Sequence, residues 1–254
     1  MSDIQELEAS LISLAELEKE MDAAEREAEI FRIKKTQGIY DKRSEILKKV
    51  PNFWYIVLAE NDEFAEYVSN DDLKYLEDIT KIHVSYDAVT DELAGPRDFS
   101  ITFEFGGNGE FITPQSVTKK FVTVLNDGEE KLESSPVNIE WPKDLADINP
   151  QKIKEATKDS GMDVEAKKKY REGMKSFFAF FSWTGLKPGK EFRNGEELAR
   201  LVVESVFPYA VKYYTEALPA DEEEDSDVGS SEGEPLDISD NEDDERETKK
   251  QKME

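Results

Sequence analysis

Apolar residues recur at Ile4, Leu7, Leu11, Leu14, Leu17, Met21, Ala24, Ala28 and Phe31, at spacings of three and four. One extra three falls between Leu14 and Leu17. This is a heptad-like coiled-coil seam with one stammer, and the other faces carry Glu and Lys. It predicts a helix from about Asp3 to Leu47, roughly 65 Å long at ~1.5 Å per residue. A stripe of that length outruns one small domain and needs a partner. A second copy of the chain, parallel or antiparallel, is the simplest one, so these nine residues form the expected dimerisation seam. The alternative is a hairpin folded at Gly38. The dimer is preferred, because one glycine costs a helix only ~1 kcal/mol and no turn chemistry surrounds it. Pro51 closes the segment.

Asn52-Phe53-Trp54-Tyr55-Ile56-Val57-Leu58 then opens a shorter apolar helix. Ser69-Asn70-Asp71-Asp72 reads as a cap, followed by Leu73, Leu76 and Ile79 at helical spacing. From Lys81 to Val89 the period changes to two, through Ile82, Val84 and Tyr86. Phe99, Ile101, Phe103 and Phe105 alternate with Ser100, Thr102 and Glu104. Val117, Lys119, Phe121 and Thr123 alternate more loosely, and Val137 to Trp141 is a fourth candidate strand. Gly106-Gly107-Asn108-Gly109 and Asn126-Asp127-Gly128 stand where hairpin turns belong. Helices are expected over Ala166 to Trp183 and Gly195 to Ala217. Strands followed by helices predict an α+β fold: about four antiparallel strands covered by helices. The expected domains are residues 1–50, a long dimerisation helix; 51–218, the α+β body; and 219–254, a tail.

Charge sharpens this division. The 254 residues hold 33 Lys and Arg against 59 Asp and Glu, a net charge of -26. From Pro219 to Glu247 there are 15 acids and one base, Arg246, with almost no aromatics. Such a segment buries too little apolar surface to offset its ordering entropy, so a disordered acidic tail is expected. Clustered Lys and Arg are what phosphate contacts need, so this balance argues against a nucleic-acid-binding protein and for a polycationic partner.

Catalytic chemistry is sparse. With no cysteine there is neither disulfide nor thiolate site, which fits an intracellular compartment. The lone histidine, His83, lies between Ile82 and Val84 and reads as a packed or solvent-facing residue, not a general base. The glycine-rich Gly106–Gly109 lacks the Gly-Lys-Ser/Thr and following helix of a phosphate loop, and Gly185 to Lys190 departs from it by its proline and spacing. Asp221 to Asp227 lacks the spaced ligands of a calcium loop. No cofactor or metal is expected, and no enzyme. No run reaches 18 apolar residues, and Met1 to Glu6 is no secretory signal, so no membrane role is expected. Lys167-Lys168-Lys169-Tyr170-Arg171, with Lys175, is the one basic cluster of the body. It reads first as a solvated face and second as a contact for DNA or an acidic patch. Lys249-Lys250-Gln251-Lys252 is a weak nuclear-import candidate. Ser231 and Ser239 precede acids and suit an acidophilic kinase.

Taken together, the long amphipathic helix, Val50-Pro51-Asn52-Phe53-Trp54, the sheet, Phe177-Phe178-Ala179-Phe180-Phe181, Phe207 to Tyr214 and the acidic end resemble the nucleosome assembly protein family. Arg97 to Phe103, Ile139 to Pro142, Lys167 to Lys175 and Trp183 to Phe192 are most similar to its fungal vacuolar-protein-sorting-associated branch. The resemblance runs through almost the whole chain; the tail matches in composition only. It implies a nuclear homodimer of two earmuff lobes joined by the long helix. It implies a histone chaperone that binds histone three–histone four complexes for nucleosome assembly and activates and directs a partner histone acetyltransferase. No sequence-specific nucleic acid is implied. On this reading Glu191, Glu196, Glu197 and Glu204 are the leading histone contacts, with Glu104 and Glu140 as weaker ones. Asp221, Glu222, Glu223, Glu224, Asp225, Glu242, Asp243, Asp244 and Glu245 would sample histone tails. The competing class is an acidic scaffold or inhibitor of a regulatory enzyme such as a phosphatase.

Overall fold

The computed structural model describes residues 2–91, 94–106, 111–126 and 128–218. Helix α1 runs from Ser2 to Leu47 without interruption. It continues through Gly38, which excludes the hairpin. No atom lies within 4 Å of where a Cβ on Gly38 would stand. Gly38→Ala should therefore stabilise the chain by about 0.5–1 kcal/mol in a denaturant titration, through reduced backbone entropy of the unfolded state. A loss of stability would mean that something packs on that spot.

Short helices follow: α2 (Phe53–Glu60), α3 (Asp62–Ala65) and α4 (Leu73–Leu76). Ile79, expected to continue the α4 pattern, instead opens the sheet. Strands β1 (Ile79–Tyr86), β2 (Phe99–Phe105), β3 (Gln115–Asn126) and β4 (Glu129–Ser134) form an antiparallel meander in chain order. Residues 87–89, expected to extend β1, form a 3-10 turn. The fourth strand is therefore not Val137–Trp141. That stretch is held differently: Val137 N–H donates to Phe181 O, and the Gln115 amide both donates to and accepts from the Glu140 backbone. The true β4 hid because Glu129-Glu130-Lys131-Leu132-Glu133-Ser134 has only Leu132 facing the core. It is an edge strand, and a charged edge discourages further pairing.

One face of the sheet meets a 3-10 segment, Phe177–Ser182, whose four phenylalanines are fully buried. Phe103 sits 5.6 and 5.5 Å from the rings of Phe177 and Phe181, edge to face. The expected helix Ala166–Trp183 is split here. Helix α6 (Val164–Gly173) stops at Gly173, where a Cβ would come within 1.8 Å of Ile148 O. Asp72, fully buried, then captures the turn by accepting from Ser176 Oγ at 2.6 Å and Phe177 N at 2.9 Å. Helix α5 (Pro150–Ala156), not anticipated, packs beside α6 and is capped by Asn149.

The expected helix Gly195–Ala217 is also broken. It consists of α7 (Gly195–Leu201), a π-turn (Val202–Val206) and α8 (Ala210–Glu216). Pro208 has no N–H and its ring would clash with the carbonyl four residues back, so the backbone widens ahead of it. Phe207 N–H accordingly reaches Val202 O at 2.8 Å.

The sheet's inward face also holds Lys119, in phase with Val117 and Phe121 and completely buried. Its Nζ donates to Ser135 O (2.9 Å), Phe181 O (3.2 Å) and Trp183 O (2.7 Å). Three N–H bonds meet three carbonyls, so the ammonium staples the end of the aromatic segment to the sheet. Burial pushes its pKa down to about 7.

Candidate interaction surfaces

Two features of the described residues offer surface to a partner. The first is the front half of α1. The helix touches the body from about Arg26 onward. Arg26 donates to Ala94 O, Glu29 lies 3.7 Å from Arg97, and Gln37 donates to Val84 O. Ile33 is the buried anchor. Arg43 donates to Phe207 O at 2.6 Å and Pro208 O at 3.1 Å, filling the carbonyls freed by the helix break, and stacks on the rings of Tyr40 and Phe207. Ahead of this anchorage, and on the far side of its first turns, the seam is bare. Ile4, Leu7, Leu11, Leu14, Leu17, Met21 and Phe31 are 56–64 % exposed, and Ala24 and Ala28 are exposed too. Ile12, which the seam did not include, is equally exposed. Isolated helices are marginal in water, and an apolar stripe of this kind is ordinarily covered.

The second feature is the distribution of carboxylates. Glu196, Arg200 and Glu204 form a ladder one turn apart, with N–O distances of 2.8 and 3.7 Å. Glu204 shares with Glu29, Arg32 and Tyr86 the wall of a cleft of about 540 Å³ between α1 and the body. Glu197 is exposed on α7. Glu140 is exposed in the extended stretch after β4, and Glu104 is paired with Lys81 at 2.9 Å on the outer sheet face. The structure thus gathers Glu196, Glu197 and Glu204 on one helical run and leaves Glu104 and Glu140 elsewhere. Glu191 is a different kind of group. Its carboxylate accepts from Thr184 N, Thr184 Oγ1 and Lys187 N at 2.5–2.7 Å. Those bonds close the loop between the aromatic segment and α7, so Glu191 is committed to the fold. The tail acids from Asp221 to Glu245, Ser231, Ser239 and the Lys249–Lys252 patch lie outside the described residues.

His83 is half-buried, with Nε2 3.4 Å from Asp41 of α1 and its ring edge-on to Phe207 at 5.7 Å. Burial pushes its pKa below the ordinary histidine value. It packs β1 against α1. Among the described residues no group of three or more His, Asp or Glu is arranged to hold a metal ion, and no helix is long and apolar enough to cross a membrane.

Sequence reasoning missed Lys119, Asp72 and Arg43. Lys119 alone left a signal, a lysine at an in-phase apolar position. The others act on backbone groups freed by helix breaks that the sequence pattern did not announce.

Comparison with known proteins places this architecture. A family model described as nucleosome assembly protein matches residues 2–217. The chain is 44 % identical over 226 residues to vacuolar protein sorting-associated protein 75 of Saccharomyces cerevisiae, covering 87 % of this chain and 83 % of that one. It is 28 % identical to NAP1-related protein 2 of Arabidopsis thaliana, covering 86 % and 80 %. The crystal structure of the Vps75 histone chaperone superposes with a TM-score of 0.74 at 45 % identity, over 82 % of this chain and 98 % of that one. That of Ccp1 superposes with a TM-score of 0.59 at 28 % identity, over 82 % and 95 %. With a long first helix, a four-stranded antiparallel sheet and a family match across the whole body, the chain belongs to the nucleosome assembly protein family.

Proposed function

We propose that this protein is a non-catalytic, homodimeric histone chaperone of the nucleus. It binds histone three–histone four complexes for nucleosome assembly, and it stimulates and directs a partner histone acetyltransferase. The observation that carries the reading is the 44 % identity, over most of both chains, to vacuolar protein sorting-associated protein 75, together with the likeness to the solved Vps75 histone chaperone.

The mechanism is electrostatic and reversible. An exposed ion pair at 4 Å is worth only ~1 kcal/mol in water. Many such pairs, summed over the Glu196–Glu197–Glu204 run, Glu104, Glu140 and the tail acids, hold a basic cargo while letting each contact exchange. The attraction is screened over ~8 Å at physiological salt, so capture is short-ranged. Glu191 is left out of this set, because its oxygens are already occupied.

Titrating purified histone pairs against the full chain over a salt series tests this. Histone three–histone four should bind near physiological ionic strength and weaken steadily with salt. Removing Pro219 to Glu254 deletes net charge -12 of the total -26. It should weaken binding by about tenfold, or ~1.4 kcal/mol. Absence of binding by the full chain at that ionic strength would end the chaperone reading; equal affinity of the shortened chain would remove the tail from it. An acetyltransferase assay on the bound histones, with and without the chaperone, tests the stimulatory role.

A further inference from the structure

We propose that α5, α6 and the loop carrying Lys187 and Lys190 form a contact surface for the phosphate backbone of duplex DNA, separate from the acidic surfaces. Residues 150–193 hold 11 Lys and Arg against six Asp and Glu, a net of +5 in a chain of -26. The structure concentrates that excess. Lys167, Lys168, Arg171 and Lys175 are all exposed and recur at i, i+1, i+4 and i+8, so they line one side of α6 and the turn after it. Lys154 of α5 lies over the Tyr170 ring of α6 at 5.2 Å, and shares a small hollow with Lys187 and Lys190. The basic side chains of two helices and a loop thus adjoin.

Three of the six acids in this stretch are already engaged within it. Glu165 lies 3.6 Å from Lys169, Asp163 caps α6 through Ala166 N, and Glu191 is held by its own loop. Among the described residues, the side chains of Lys152, Lys158, Lys167, Lys168, Arg171 and Lys175 have no ion pair or hydrogen bond.

The partner follows from what the surface lacks. Protein interfaces are centred on desolvated aromatic or apolar anchors. The surface presents no exposed aromatic: Tyr170 lies under Lys154, and the exposed apolar side chains are two isolated aliphatic ones, Val164 and Leu186. Lysine-rich charge with so little apolar surface suits a partner bound by counterion release, and a repeating row of phosphates is such a partner. At ~8 Å screening the patch acts mainly on its own surroundings. The contact is sequence-independent and weak, in the ~10⁻⁴–10⁻⁶ M range of non-specific binding.

The test is fluorescence anisotropy of two unrelated short DNA duplexes with the full chain, between about 50 and 200 mM salt. The two duplexes should bind alike. The variant K167Q/K168Q/R171Q/K175Q, which keeps good helix formers at exposed positions, should melt at the parent temperature. It should bind at least tenfold more weakly, and its log–log salt slope should be shallower by about three to four, since each lost phosphate contact contributes ~0.9. A control variant, K34Q/K35Q/K42Q on α1, should bind like the parent. Failure of the parent to bind at 50 mM, an unchanged slope in the α6 variant, or an equal loss in the control would overturn the proposal. So would polyglutamate binding the patch as tightly as DNA, which would assign it to an acidic protein. Histone affinity, measured alongside, should be unaffected by the α6 variant, so this surface and the chaperone reading fail or stand separately.

Discussion

Changing Leu11, Leu14 and Met21 together to glutamate will leave the protein monomeric. In a symmetric pair these are six apolar side chains removed from water, each worth roughly 1.5–3 kcal/mol when fully buried. Even at the lower figure the loss is on the order of 9 kcal/mol, or about six powers of ten in the dissociation constant. The new charges join Glu16, Glu18, Glu20 and Asp22 on the same stretch, and like charges along a pair of helices repel. Glutamate is a good helix former, so the change acts on the seam and not on helix propensity. Light scattering should report half the parent mass, with the sheet's melting transition retained. An unchanged mass would show that the exposed seam is not where the copies meet.

Lys119→Met should be the most destabilising single change in the sheet. It keeps most of the volume and removes the one cationic donor from Ser135 O, Phe181 O and Trp183 O. Phe181 O keeps the Val137 N–H, but leaving Ser135 O and Trp183 O without this donor costs about 1–3 kcal/mol each, which lowers the melting temperature by about 10 °C in a chain of this size. The pH dependence separates this from simple repacking. With a folded pKa of about 7 against ~10.4 in the unfolded chain, the unfolded state binds the extra proton between those values. Stability from this group therefore rises as pH goes from 7 towards 10, because folding must release the proton that the unfolded chain still holds, and that release costs less as pH rises. The parent should gain stability over that window relative to the variant. Parallel pH profiles for the two proteins would mean that Lys119 titrates normally.

The parts of the fold that were legible are those where burial alone decides. Phe99 to Phe105 alternates because one sheet face is dry and the other wet, and the α1 seam shows because one stripe of a very long helix is apolar. What stayed hidden depends on backbone bookkeeping between distant segments. Nothing near Gly173 says that Ile148 O will press on it, and nothing in Ser176-Phe177 says that Asp72 will bind both. Val137–Trp141 carries the strand period, yet Phe181 and Gln115 already take its hydrogen bonds, whereas β4 pairs with β3 despite having one apolar position. For the proposed contacts the sequence names a residue class and not its availability. Glu191 and Glu197 look alike in the chain, but only Glu197 has its carboxylate facing solvent. The α6 lysines read as an ordinary solvated face until α5 and the 185–190 loop brought further cations beside them.

The grip of Arg43 on the carbonyls of Phe207 and Pro208 has a mechanical consequence. It ties the rear of α1 to the last helices of the body, so helix and lobe translate together as one lever arm. In a pair joined along the front of α1, the gap between lobes is then gauged by the register of the two helices. Sliding one copy by a heptad would shift its lobe by ~10 Å. In such a pair the extra step of three between Leu14 and Leu17 would make that slide mismatch the seam, and this irregularity in the sequence would hold the gap at one opening.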